Sequence, residues 1–128
     1  MTALVGKAFR YDGTGPSADP GRPHHCVIVG VTAKNDILVV PISSTHQNCD
    51  RTCLITPIQW DILTKESYAA YYQAKMRGVK SFEAAVQAGT IKLVPVPSPV
   101  FDRIIKGIDK TEEAEDFFTE AWRKLNSK

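Results

Sequence analysis

The sequence predicts an α+β domain in which short strands come first and helices follow. Between residues 6 and 56 the apolar runs are short, valine-rich and broken by turn-forming residues. From residue 64 onward apolar side chains recur at helical spacing. The length, 128 residues, suits a single domain over 1–128 and a core that needs no disulfide or metal. Residues 1–96 are expected to hold a sheet of about five strands, curled into a small barrel with inserted helices on one side. Residues 97–128 are expected to form C-terminal helices packed on it.

Gly6–Tyr11 alternates loosely and reads as the first strand. Asp12–Gly21 (DGTGPSADPG) is dense in Gly, Pro, Asp and Ser and reads as a long loop of the kind that carries function. His25–Thr32 reads as the second strand and Lys34-Asn35-Asp36 as a tight turn. Ile37–Ile42, almost wholly apolar, reads as a third strand buried on both faces, with Pro41 marking a sheet edge or a bulge. Ser43–Asp50 is a polar loop and Arg51–Thr56 a fourth strand. Thr64 is placed as the N-cap of a helix over Lys65–Arg77, where Tyr68, Ala69, Tyr71, Tyr72 and Met76 share helical spacing and Gly78 ends the run. Ser81–Ala88 is a second helix closed by Gly89, and Ile91–Val94 a fifth strand. Ser98 caps a helix with Pro99 at its first position, and Phe101, Ile104, Ile105 and Ile108 line one face. Thr111 opens the last helix, with Glu112 and Glu113 in its first turn and Phe117, Phe118, Ala121, Trp122 and Leu125 as its apolar stripe.

Composition is ordinary for a globular protein, at 43% hydrophobic and 23% charged residues. The N-terminus lacks the apolar core of a signal peptide, and no apolar run approaches a membrane span. A cytoplasmic location without membrane contact is the expectation. Net charge is only +2, but residues 102–120 carry seven acidic against three basic side chains. An anion-binding surface is therefore expected on the earlier part of the chain. All three cysteines and all three histidines fall between residues 24 and 53. An odd cysteine count in such a chain argues against a disulfide framework.

The richest segment is Gly21–Ser44, GRPHHCVIVGVTAKNDILVVPISS. Pairing its two apolar runs would bring Arg22 and the histidines toward Ser43 and Ser44, which are groups suited to a phosphodiester. Arg22 offers a planar fork of donors that matches a phosphate, although an Arg before Pro is also a common surface residue. Ser43 or Ser44 can donate to a phosphoryl oxygen or cap the loop's own backbone. His24 and His25 alternate in direction, so at most one is expected to serve as a general acid or base, the other being packed or solvated. Arg10, Lys34 and Arg51 would join Arg22 in a shallow basic rim. Trp60, Tyr68, Tyr71 and Tyr72 read as packing residues rather than base-stacking platforms. A zinc site built on His46, Cys49 and Cys53 is a weaker alternative, since no C-x-x-C knuckle is present and Cys53 fits as a small buried hydrophobe.

The succession of strand, Gly-rich loop, Gly-Arg-Pro, valine-rich strand, turn and apolar strand ending Pro-Ile-Ser resembles the MazF/PemK (Kid) family of toxin endoribonucleases over about residues 4–56. The resemblance implies an SH3-like barrel with helices on one side. It implies metal- and cofactor-independent cleavage of single-stranded RNA, with Arg22 as the catalytic arginine, Ser43 as its hydroxyl partner and Ser44 as a register alternative. It also implies a homodimer and an antitoxin protein as partner. Family loops often carry a Glu before the Arg-Pro, where only Asp19 is available here. The competing expectation is a non-catalytic SH3-like barrel that binds a peptide or nucleic acid.

Overall fold

Nine consecutive residues, Asp36–Ser44, form the strand from which the rest of the fold is laid out. The structure, a computed structural model, describes residues 4–11 and 24–126. Within them the strands are β1 (Lys7–Tyr11), β2 (His24–Val31), β3 (Asp36–Ser44), β4 (Leu54–Ile55), β5 (Ser67–Ala69), β6 (Lys75–Gly78) and β7 (Leu93–Pro95). The helices are α1 (Val79–Gln87), α2 (Ser98–Ile108) and α3 (Asp116–Asn126). The chain is thus α+β, as expected. Its sheet, however, is open and fully antiparallel, in the order β4-β5-β3-β2-β1-β7, with β6 also paired to β3. No pairing among the described residues closes it into a barrel, and it has seven strands rather than about five.

The β2–β3 hairpin is close to its expected form. Thr32 and Asp36 close the turn through Thr32 N–H to the Asp36 carbonyl at 2.8 Å, and Asn35 adopts φ 64°, a conformation Asn tolerates. β3 is longer than its apolar run and takes in Ser43 and Ser44, which therefore belong to the sheet and not to the loop beyond it. Its second edge is divided. Asp36–Val39 pairs with β6, and Ile42–Ser44 pairs with β5. Pro41, buried in this central strand, stands where the partner changes, so its missing N–H interrupts neither ladder. Its carbonyl accepts from Ala70 N–H at 2.8 Å.

The helix expected over Lys65–Arg77 is replaced by β5, a 3-10 turn at Tyr71–Gln73 and β6. The reason is burial. Ser67, Tyr68, Ala69, Ala70 and Tyr71 are five successive buried residues, a pattern that an amphipathic helix cannot supply and that a strand between two covered faces requires. Arg51–Thr56 contracts to the two-residue β4. Thr111 does not open the last helix, which begins at Asp116. α1 and α2 lie within a few residues of their expected bounds.

Both faces of the sheet are covered, rather than one. Val100, Ile104 and Ile108 of α2 and Phe118 and Trp122 of α3 pack on Val27, Val29, Leu38, Val40 and Ile42. On the other face Val79 and Phe82 of α1 pack on Phe9, Cys26, Ile28, Ile37 and Val39. Phe9 and Phe82 meet edge to face, with ring centroids 4.9 Å apart. Phe117, expected in the apolar stripe of α3, is exposed.

One contact ties α2 to the strand-rich half. The buried Tyr71 hydroxyl donates to the Ile104 carbonyl at 2.8 Å, and a Cβ at Gly107 would run into that hydroxyl. Exchanging an ordinary helical Gly for Ala adds about 1 kcal/mol of stability. Here the sign reverses: Gly107→Ala is expected to cost about 1–3 kcal/mol through overpacking, read from urea unfolding. Tyr71→Phe, by removing the nearest atom, should shrink that penalty in the double variant.

Candidate functional site

The expected phosphodiester residues divide as follows. Arg22 lies outside the described residues. His24 pairs with Tyr11, and Arg10 pairs with His25, which in turn pairs with Ile42. The His25 ring lies 6.1 Å from the buried Trp60, and its Nδ1 is buried. Ser43 pairs with Tyr68 and Ser44 with Ser67. Because alternate residues of a strand face opposite ways, His25 shares its face with Ile42 and Ser44 and not with Ser43. Arg10 and Arg51 are exposed. Lys34 sits in the turn at the far end of the β2–β3 hairpin, roughly 25 Å along the strands from Ser43 at about 3.3 Å per residue. It therefore does not join a common basic rim with Arg10.

A second group of residues converges next to Ser43. Tyr68, its cross-strand partner, forms the floor of a pocket of about 310 Å³ lined by His46, Asn48, Cys49, Asp50, Tyr72 and Glu113. His46 and Tyr68 meet edge to face at 5.5 Å. The His46 ring contacts the Gln47 carbonyl through Nδ1 at 2.7 Å, so Nδ1 carries the hydrogen and donates. In the neutral ring Nε2 then accepts from the Tyr68 hydroxyl at 3.1 Å. Burial, reinforced by the neighbouring Tyr72 hydroxyl, pushes the Tyr68 phenol well above its ordinary pKa, so it stays protonated near neutrality. Tyr72, expected as packing, is 46% exposed at the rim.

Asp50 braces this pocket. Its Oδ1 accepts from Thr52 N–H at 2.9 Å and from the Thr52 hydroxyl, and its Oδ2 accepts from the Thr111 hydroxyl at 2.7 Å. Thr111 Oγ1 in turn accepts from Glu113 N–H at 3.1 Å. Asp50 and Thr111, sixty-one positions apart, thereby lock the segments 46–52 and 111–113 together. Burial acts to raise the Asp50 pKa, but the hydrogen bonds from Thr52 and Thr111 outweigh it and hold the carboxyl below its ordinary range.

The zinc alternative does not assemble. Among the described residues no three His, Cys, Asp or Glu side chains converge on a metal position. Cys49 packs with Tyr68 and Ala70, whereas Cys53 belongs to the core under α2 and α3. Burial pushes the Cys26 thiol up to about 11, against the pull of Lys75 and Arg77, and raises Cys53 as well. Neither is a ready thiolate near neutral pH. Among the described residues no helix is long and apolar enough to cross a membrane.

No family model, curated protein or solved structure matches this chain. The site rests on its own geometry. The sequence singles out His46 and Cys49, though as zinc ligands; the role of Tyr68 and Tyr72 is hidden by their helical spacing, and Asp50 and Glu113 meet only through tertiary structure. The one available signal is the run SYAAYY, whose lack of charged positions fits a doubly covered strand better than an exposed helix.

Asp50→Ala is expected to destabilise the protein by about 1–3 kcal/mol, because three donors lose a charged acceptor. Since the folded-state pKa of Asp50 is depressed, its contribution is fully present above the ordinary carboxylate range and is lost as pH falls through the lower folded value. Urea titrations should show a constant gap between wild type and variant near neutral pH, narrowing below about pH 4.

Proposed function

We propose that this chain is a metal-independent endoribonuclease of the toxin–antitoxin kind, acting on single-stranded RNA, and that its sheet is an opened relative of the SH3-like barrel. The observation that carries this reading is the register at one end of the sheet. β1, β2 and β3 bring Arg10, His25 and Ile42 side by side at the end of the sheet that also holds Ser43 and Ser44, with Ser44 on the face of Arg10 and His25 and Ser43 on the face of Tyr68. Arg22 precedes the first residue of β2 by two positions.

In the reaction the 2′-oxygen of one nucleotide attacks the adjacent phosphorus and the bond to the 5′-oxygen breaks. A base takes the 2′-hydroxyl proton and an acid returns one to the departing 5′-oxygen. The products are a cyclic 2′,3′-phosphate and a 5′-hydroxyl. Arg22 stabilises the charge that builds on the phosphoryl oxygens, the large electrostatic part of such catalysis. The Ser43 hydroxyl donates to one of those oxygens. Of the pair His24 and His25, the proton-carrying role falls to His24, because His25 is turned away from Ser43 and packed on Trp60; a well-placed group of this kind contributes about 10²–10⁴-fold. A homodimer and a neutralising antitoxin protein complete the proposal, in a cytoplasmic setting.

The second reading, a non-catalytic domain that binds a peptide or nucleic acid, is favoured by the packing of His25 against Trp60, which is typical of a structural histidine. Long RNA incubated with the protein in EDTA separates the two. Cleavage leaving cyclic phosphate and 5′-hydroxyl ends is expected, with Arg22→Ala slower by about 10²–10³-fold and no longer toxic on expression. Intact RNA with wild-type protein, or full toxicity in Arg22→Ala, overturns the nuclease.

A further inference from the structure

We propose that the pocket over Tyr68 is a guanine subsite that holds the base next to the scissile phosphate. The inference rests on the RNA-cleaving reading for its substrate, but its geometry is independent of Arg22. The pocket, at about 310 Å³, lies at the small end of ligand-binding cavities and suits one planar ring system rather than a larger ligand. No Lys or Arg lines it, and Asp50 and Glu113 do, so it disfavours a phosphate. Its half-exposed aromatic wall, Tyr72, is the kind of surface on which single-stranded RNA bases stack.

Asn48 offers both a donor and an acceptor and so discriminates little among bases; the selecting group is Glu113. Both Asp50 oxygens are engaged by Thr52 and Thr111, and the Tyr68 hydroxyl is held by His46. Glu113 is exposed at the mouth, its backbone fixed by Thr111. Of the four bases only guanine presents two adjacent donors, N1–H and the 2-amino group, to a single carboxylate, a pairing equivalent to the bidentate grip of Arg on carboxylate. Adenine, cytosine and uracil would turn a lone pair toward Glu113.

The subsite is also correctly located. Ser43 and Tyr68 are direct cross-strand partners, and such residues hold their Cβ atoms about 5 Å apart. A base seated over Tyr68 therefore brings its own phosphate to Ser43.

Titrating the full-length protein with guanosine, adenosine, cytidine and uridine, while following the His46 and Tyr72 ring resonances, tests the subsite without any cleavage step. Guanosine is expected to saturate, to shift both rings and to bind at least about tenfold tighter than the others. Tyr72→Ala should weaken it about five- to a hundredfold, in line with base–aromatic stacking, and Glu113→Gln should erase the preference for guanosine. No saturable guanosine binding, equal binding of all four nucleosides, or affinities unmoved by both variants would overturn the subsite. Mapping RNA ends in EDTA keeps the two proposals apart. Guanosine binding without cleavage removes the nuclease and leaves the base site, whereas cleavage with no guanine preference beside the cut removes the base site and leaves the nuclease.

Discussion

The fold depends on satisfying both edges of β3. The strand is buried on both faces over most of its length, so neither of its edges can fall back on water for hydrogen bonds. β2 covers one edge through a tight hairpin. The other is longer than any single strand available downstream, and it is shared between β6 and β5 in reverse chain order. Pro41 makes the division possible. A residue with no N–H is tolerated in a central strand only where no partner asks for one, and the gap between the two partners is such a place. The 3-10 turn at Tyr71–Gln73 bridges that gap, and the Ala70 N–H closes onto the Pro41 carbonyl.

This requirement explains both what was legible in the sequence and what was not. The β2–β3 hairpin could be read because its signals are local: a valine-rich run, Asn-Asp at the turn and a second apolar run. α1 and α2 could be read for the same reason, from apolar spacing and terminal Gly or Pro. Residues 65–77 could not. Tyr68, Ala69, Tyr71, Tyr72 and Met76 do fall at helical spacing, but β3 needs partners, and the stabilisation from pairing and burying Ser67–Tyr71 outweighs a weak local preference. Thr111 misled in another way. As a residue that caps helices it also makes a good hydroxyl donor, and Asp50 recruits it. No local pattern announces a partner sixty-one positions away. Of the candidate site, the approach of β1, β2 and β3 at one end was legible, whereas the pocket over Tyr68 was not.

Charge adds a second layer of organisation. The acidic stretch 102–120 looks in sequence like a solvated helical face. Part of it instead forms the loop 111–115, whose Thr111 and Glu113 reach back to the segment after β3. Lys34 and Arg10 do not gather into one rim, because the β2–β3 hairpin separates them. Among the described residues, a ligand spanning both regions would meet Arg10 beside the start of β2 and acidic, aromatic groups over β5. That polarity suits a nucleotide, whose phosphate and base make opposite demands.

Tyr68 links these layers. Had residues 65–77 formed a helix, Tyr68 would not stand across from Ser43, His46 would lose the hydroxyl that orients its ring, and the pocket would lack its floor. The same choice of strand over helix that satisfies β3 therefore also builds the only described surface where a sheet hydroxyl, an oriented imidazole and an exposed aromatic ring adjoin. Asp50 then limits how far that surface can relax, since moving the 46–52 segment away from 111–113 would break the 2.7 Å hydrogen bond from the Thr111 hydroxyl to a carboxylate that Thr52 holds in place. A site that is costly to open and is seated on a central strand is preorganised, and preorganisation is the property that both selective base binding and phosphoryl chemistry require.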